Sequence, residues 1–279
     1  MIKRRRFIFI SAVFFLKIEK FVNQTGGFVM DLYTLTISDW WKDLKDTFIL
    51  NFVTDDRYMY LVRGLGITFT VTAGATILGI LIGVIIALIR STYDKNNHDM
   101  RPGFGKSVLT VLDKIARLYL TVIRGTPMVV QLMLAFFVIF VAISKYKVLV
   151  AILAFGFNSG AYVAEIIRSG IMSIDPGQFE AGRSLGFNYA QTMIYIIIPQ
   201  AFKNVLPALA NEFIVLIKET SVSGYIGLQD LTKGGDIIRS RTYTAFMPLL
   251  AVAIIYLVIV MFFTRLVGIL ERRLRNSER

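Results

Sequence analysis

The sequence predicts an all-α integral membrane protein: five transmembrane helices preceded by a helix lying at the membrane interface. Three observations carry this. Apolar residues make up 55% of the chain and the mean hydropathy is +0.62, more apolar than a soluble domain of this length. Apolar runs recur, most of them near the roughly 20 residues that cross a bilayer as a helix. The Lys and Arg residues behind a net charge of +12 gather between those runs, where a membrane protein keeps its topology charges. Nucleic-acid binding is therefore the weaker reading of the charge. The chain has no cysteine and one histidine, His98, so thiolate sites, disulfides and His-rich metal centres are excluded. No soluble domain and no repeat of solenoid length is found.

Residues 1–29 open with Lys3, Arg4, Arg5 and Arg6 before a short apolar run. They read as a leader or N-terminal extension, or as sequence upstream of a start at Met30; the run is too short for a span. Residues 30–63 mix Trp40, Trp41, Phe48, Ile49 and Phe52 with Asp and Lys, the pattern of an interfacial helix or of a soluble lead-in packed on the bundle. The membrane domain is expected over 64–271. The first span covers about Leu65–Ile89, with Gly79-x-x-x-Gly83 permitting close helix approach, between copies or within one. Arg90 to Arg117 is expected as a basic polar loop. Its Gly103-Phe104-Gly105-Lys106-Ser107 lacks the earlier glycine and the strand of a phosphate loop, so ATP hydrolysis is not in this chain. A helix over Val108–Arg124 ends at Gly125-Thr126-Pro127, and the second span follows at about Met128–Ile143. The third covers Val148–Ile167, the fourth Thr192–Ile217 broken by Pro199 and Pro207, and the fifth Ala245–Ile269. Lys218–Tyr243 lies between the last two, and a basic tail closes the chain at 272–279. Five spans put the tail, the first basic loop and the 173–191 loop on the cytoplasmic side.

The polar stretch 173–191 carries its own helix signals. Asp175 is an N-cap, Pro176 fits the first helical position, and Gln178 completes a capping box. The short helix should stop at Gly186, and Asn188 with Gln191 repeats the box for the next helix. Glu180-Ala181-Gly182, Gly186, Ile196 and Pro199 match the cytoplasmic EAA loop of ABC-transporter permeases: Glu-Ala-Ala, three residues, Gly, nine residues, Ile, one residue, Leu-Pro. Gly182 and Ile198 depart from it. With RGTPMVVQL at Arg124–Leu132, AYVAEIIRSG, IIIPQAF and NEFIVLIKETS, the chain from about Leu61 to Arg273 resembles the polar amino-acid uptake permeases, the His/Glu/Gln/Arg group.

That resemblance implies a type I importer fold in a bacterial plasma membrane. It implies a pair of ATPase subunits beneath the permease, an extracytoplasmic amino-acid-binding protein, a second permease copy as homodimer or heterodimer, surrounding lipid, and no cofactor. It also implies that Phe179, Glu180, Ala181, Gly182, Leu185, Gly186 and Phe187 couple the ATPase to the spans, with Phe179, Leu185 and Phe187 as apolar anchors.

Polar residues inside hydrocarbon are costly and tend to face the bundle interior or a wet cavity. Asn158, Tyr162, Glu165 and Ser169 share one face of the third span at i, i+4, i+7 and i+11. Gln131 follows the Pro127 break, and Asn211, Glu212, Lys218 and Glu219 lie on the fourth span and its end. These are the candidate substrate path, with a carboxylate such as Glu212 facing an ammonium; the competing reading is that they lock helices together, with Glu165 paired to Arg168. An ion-driven secondary transporter is the alternative function, but it usually shows two related halves, absent here. A membrane enzyme lacks its motifs, since Gly156-Phe157-Asn158-Ser159-Gly160 is off by one from a nucleophile elbow.

Overall fold

The computed structural model describes residues 39–96 and 102–276. The readings of residues 1–29, the start at Met30, His98 and Arg101 lie outside them. The chain divides at Asp56 into two units. In the first, α1 (39–48) carries exposed Trp40, Trp41 and Phe48 and runs into a π-helical turn, Ile49–Val53. The Phe48 and Phe52 rings lie 5.1 Å apart.

The second unit is built on two long helices, α2 (Tyr58–Asn96) and α5 (Lys147–Met172). Glycines set their separation. A Cβ on Gly74 would fall 2.8 Å from Ile152 Cδ1, one on Gly79 3.0 Å from Ser159 Oγ, and one on Gly156 2.6 Å from Leu78 Cδ2. Gly79 and Gly83 both face α5, so this glycine pair serves packing within the chain. Val71 and Ala75 of α2 meet Val150, Ala151 and Phe155 of α5 there, with Leu132 and Leu216 closing the core.

In sequence α2 and α5 are joined by α3 (Phe104–Arg124) and α4 (Met128–Leu134), the latter continued by a π-helical turn, Ala135–Ile139. The two are bent by 107° at Gly125–Pro127. Pro127 is extended, at φ −66° and ψ 137°, and has no N–H to continue the α3 ladder. The break between a helix ending at Arg124 and a second span beginning at Met128 is as expected, but that span is regular α-helix only to Leu134, continuing through the π-helical turn and a 3-10 turn, Val141–Ile143. Among the described residues four helices are long and apolar enough to cross a membrane, and five if the bent pair is one span.

The polar loop expected from Arg90 to Arg117 is corrected too. α2 continues to Asn96 and α3 begins at Phe104, so most of its charges sit on helices. Arg90 on α2 pairs with Asp113 on α3 at 2.8 Å, which is why the helices outlast their apolar stretches.

After α5 come the short α6 (Pro176–Ser184) and α7 (Tyr189–Thr192), the latter running through a π-helical stretch, Met193–Ile197, into α8 (Ile198–Glu219). The prolines do not break this span, which runs on to Ile226. The wider π turn lies just before Pro199, which occupies the first turn of α8 where its missing N–H costs little. Pro207 stays inside α8, and its carbonyl accepts the Asn211 side-chain amide at 3.1 Å. A 3-10 segment (Thr220–Ile226), α9 (Leu231–Thr242) and α10 (Phe246–Asn276) complete the chain. α10 exposes Leu250, Ile254, Leu257, Met261 and Phe262, the surface a span offers to lipid.

Candidate functional site: a capped surface helix and a polar cleft

Two features stand out, and α6 is the first. Asp175 accepts from the Gly177 N–H at 2.7 Å. The Gln178 side chain does not close the predicted box; its Oε1 instead accepts from Gln200 Nε2 at 3.1 Å. The second box does form: Asn188 Oδ1 accepts from the Gln191 N–H and Gln191 Oε1 from the Asn188 N–H, each at 2.9 Å. Between the helices, Gly186 sits at φ 81°. Its N–H donates to Arg183 O at 2.9 Å and the Phe187 N–H to Gly182 O at 3.0 Å. That is the double-bonded helix ending that needs a left-handed residue, as the sequence predicts.

α6 is fastened to its own chain from one side. Phe179 is buried among Ile171, Ile174, Met193 and Ile197, stacked on Tyr189, with Lys95 Nζ 4.7 Å from its ring centre. Of the three residues expected as apolar anchors, Phe179 is thus the one packed into its own chain. Gly182 is buried too; a Cβ there would fall 2.7 Å from Thr192 Oγ1. The other side is open: Glu180 and Ala181 are exposed, Leu185 is 71% exposed, and Phe187 is half-buried against the Tyr195 ring.

The second feature is a cleft of about 440 Å³ between α3, α5 and α8, lined among others by Arg124, Tyr162, Glu165, Ser169, Asn204 and Glu212. The helical face read from α5 thus reaches it through Tyr162, Glu165 and Ser169. Asn158 does not; it is buried, and its amide donates to Gln131 Oε1 at 2.9 Å. Gln131 Nε2 in turn donates to Ile123 O at 2.8 Å and Thr126 Oγ1 at 2.7 Å. These two side chains lock α4 and α5 around the bend, so the helix-locking reading fits them. Asn211, Lys218 and Glu219 do not line the cleft.

Charge in the cleft is organised. Glu165 Oε1 accepts from Arg168 Nη2 at 2.6 Å, and Arg168 also reaches Asp94 at 3.2 Å. Asp94 lies 3.8 Å from Arg117, which pairs with Asp113 at 2.7 Å, and Asp113 with Arg90. One chain of alternating charges thus ties α2, α3 and α5. Glu212 instead accepts only a hydroxyl bond, from Ser159 Oγ at 3.1 Å. Arg124 lies 5.7 Å from the Tyr162 ring centre. Arg124 and the pairing of Asp94 with Arg168 were missed by sequence reasoning, which took basic residues here as topology marks. The one signal was the position of Arg124, directly before the Gly-Thr-Pro break.

Residues 104–276 match the model of the binding-protein-dependent transport system inner membrane component family. The chain belongs to this family. It is similar to permeases of amino-acid transport systems. It is 35% identical over 222 residues to the arginine transport system permease protein ArtQ of Bacillus subtilis, covering 78% of this chain and 94% of the relative. It is 37% identical over 168 residues to the glutamine transport system permease protein GlnP of Escherichia coli, covering 59% and 77%. The crystal structure of an amino acid ABC transporter with histidines matches at TM-score 0.69 and 41% identity, covering 80% of this chain and 98% of that one. The MetNI methionine ABC transporter in inward facing conformations matches at TM-score 0.64 and 19% identity, a likeness of fold alone. This permease is therefore a multi-pass membrane transport protein of the ABC importer kind.

Proposed function

We propose that the chain is the transmembrane subunit of an ATP-driven importer for a polar amino acid. It works with a second permease copy, a pair of ATPase subunits on the cytoplasmic side and an extracytoplasmic binding protein, with its C-terminal tail cytoplasmic. α6 is the coupling helix: closure of the ATPase pair moves it and switches the spans between inward and outward access. The observation that carries this reading is the one-sided fastening of α6. Phe179 and Gly182 bind it to the bundle while Glu180, Ala181 and Leu185 are free for a partner. Motion of a helix held in this way is transmitted to α5, which precedes it, and through α7 and the π-helical stretch to α8. The cleft between α5 and α8 is the substrate path, with Glu212 facing the ammonium.

The test is reconstitution with the cognate ATPase and binding protein in proteoliposomes. Gly186→Ala puts a Cβ at φ 81° and strains the α6 ending by about 1 kcal/mol or more. Together with Glu180→Ala it should leave the chain folded but separate ATP hydrolysis from uptake or release the ATPase. Uptake by wild type without any ATPase, indifferent to both changes, would instead establish an ion-driven transporter.

A further inference from the structure

We infer that Lys95 is a positioning residue for α6: its ammonium, seated on the Phe179 ring, ties α6 to the end of α2, so that movement of α6 reaches α2 as well as α5 and α8. The inference rests on the reading of α6 as the coupling helix and adds a further span that takes the stroke.

Lys95 and Phe179 are far apart in sequence, and folding brings Lys95 Nζ to 4.7 Å from the ring centre. That is within the reach of a cation held by the face of an aromatic ring. The last turn of α2 divides its charges by direction. Successive residues on a helix point about 100° apart. Asp94 therefore faces α3 and α5, where it meets Arg117 and Arg168, while Lys95 faces α6. Among the described residues Lys95 makes no ion pair. Thr92 shares its face of α2, three residues back, and lies beside the Tyr189 hydroxyl. Tyr189 is itself stacked on Phe179, with ring centres 6.5 Å apart. Two side chains of α2 thus meet the two rings that seat α6.

This contact gives α6 a hold on a long lever. Phe179 is 9% exposed and projects from α6 into the chain, opposite the open side with Glu180, Ala181 and Leu185. A shift of α6 carries the ring, and the ring carries the charge seated on it. α2 runs from Tyr58 to Asn96 with no proline inside it, so no proline kink absorbs the pull. At its other end α2 meets the chain just before α9 backbone to backbone, since a Cβ on Gly64 would fall 2.5 Å from the Asp230 carbonyl oxygen. Lys95 and Gly64 stand about 46 Å apart at the usual helical rise. α2 therefore joins the coupling helix at one end to α9 at the other.

The full permease, reconstituted with its ATPase and binding protein in proteoliposomes, tests this. The probe is a mixture of tritiated amino acids, and the readout is amino acid taken up per ATP hydrolysed. Lys95→Met keeps the apolar stem and removes the charge. It should leave the complex assembled and hydrolysing ATP but lower uptake per ATP about threefold, the factor a partly exposed cation–ring contact is worth. Lys95→Arg keeps a cation for the ring and should restore the wild-type ratio, which mere packing of the last turn of α2 would not require. Phe179→Leu removes the ring, so adding Lys95→Met to it should cost nothing further. Uptake per ATP unchanged in Lys95→Met overturns the inference. So do equal losses in Lys95→Arg and Lys95→Met, or losses that multiply in the double variant. Lys95→Gln is a second neutral variant; failure of both neutral variants to assemble, with Lys95→Arg assembled, would make Lys95 a structural residue and also overturn it. A wild-type complex that takes up no amino acid sinks the permease reading instead.

Discussion

The two ends of α2 are joined to the rest of the chain by opposite chemistry. Near the N-terminal end the joint is made of backbone. A Cβ on Gly64 would fall 2.5 Å from the Asp230 carbonyl oxygen, and one on Gly234 2.5 Å from the Tyr60 carbonyl oxygen. Thr68 Oγ1 accepts the Leu231 N–H of α9 at 3.2 Å. Near the C-terminal end, about 33 Å further along at the usual helical rise, the joint is the ionic chain through Arg90 and Asp94. Interlocked backbones cannot slide without unpacking, whereas charge pairs can part and re-form with other partners. The difference teaches where movement is affordable: α2 and α9 behave as one body, and the ionic end is where α2, α3 and α5 can shift.

The largest effect should come from filling the packed joint. Gly64→Ala or Gly234→Ala drives a methyl into a carbonyl and should cost about 3 kcal/mol or more, because neither neighbour is a side chain that can turn away. Gly66→Ala is the matched control, two residues along the same helix with nothing within 4 Å of its Cβ. It should be neutral or stabilising by up to about 1 kcal/mol. Thermal unfolding of the detergent-purified chain compares them, and similar losses at Gly64 and Gly66 would remove the packed joint from the account.

At the ionic end the cost should depend on burial of the partner left behind. Asp113 has 3% of its side chain exposed and holds both Arg90 and Arg117. Asp113→Ala should therefore cost roughly 3 kcal/mol, chiefly by stranding Arg90, whose side chain is 12% exposed. A second change, Arg90→Met, should recover part of that loss. A double variant no better than Asp113→Ala would mean that the cavity left by the Asp113 carboxylate, and not the stranded charge, sets the cost.

The packed joint also contains a titrating group. Asp230 caps α9, accepting from the Thr232 and Lys233 N–H groups at 3.1 Å, and is 1% exposed. Burial pushes its carboxyl up to about 6, against an ordinary 3.8, and the cap bonds pull back only partly. The folded chain therefore holds this proton more tightly than the unfolded one. The stabilisation is complete below pH 3.8 and is lost as pH rises through about 6, on the order of 3 kcal/mol in all. Asp230→Asn keeps an acceptor for the cap without the charge, so it should flatten that part of the pH profile and be more stable than wild type at pH 8. A pH dependence between 4 and 7 that is unchanged in Asp230→Asn would assign it to another group.

The spans were legible because hydrophobicity is a local property, summed over a run. So were the Gly186 ending and the Asn188–Gln191 box, whose partners lie within a few residues. What was not legible depends on partners far away in sequence. Asp94 and Arg168 look like loop and helix-end charges until folding brings them to 3.2 Å. Gln178 looks like half of a box until Gln200, 22 residues on, takes its oxygen. Phe179 reads only as an apolar anchor from the short helix alone, and the pocket of Ile171, Met193 and Ile197 shows that it packs against its own chain. The α5 face shows the limit most clearly: its period placed Tyr162, Glu165 and Ser169 together correctly, but Asn158, one turn earlier, meets α4 instead of the cleft.

The smallest effect should come from ion pairs at the packed end. Asp236 on α9 holds Lys233 at 2.7 Å and Arg239 at 2.5 Å, as short as any pair at the ionic end. Its carboxyl lies below the usual range because those two cations bond to it, so its contribution is present above pH 3.8 and fades as pH falls further. Yet its side chain is 31% exposed, and Lys233 and Arg239 are 36% and 48% exposed. Water screens all three, and removing the acid strands no buried charge. Asp236→Ala should therefore cost only a few tenths of a kcal/mol at pH 7, several-fold less than Asp113→Ala, and the remainder should shrink in high salt. A loss equal to that at Asp113 would show that pairing itself, rather than burial of the partner left behind, sets the strength of the ionic end. The contrast between the two ends of α2 would then be one of geometry and not of solvent.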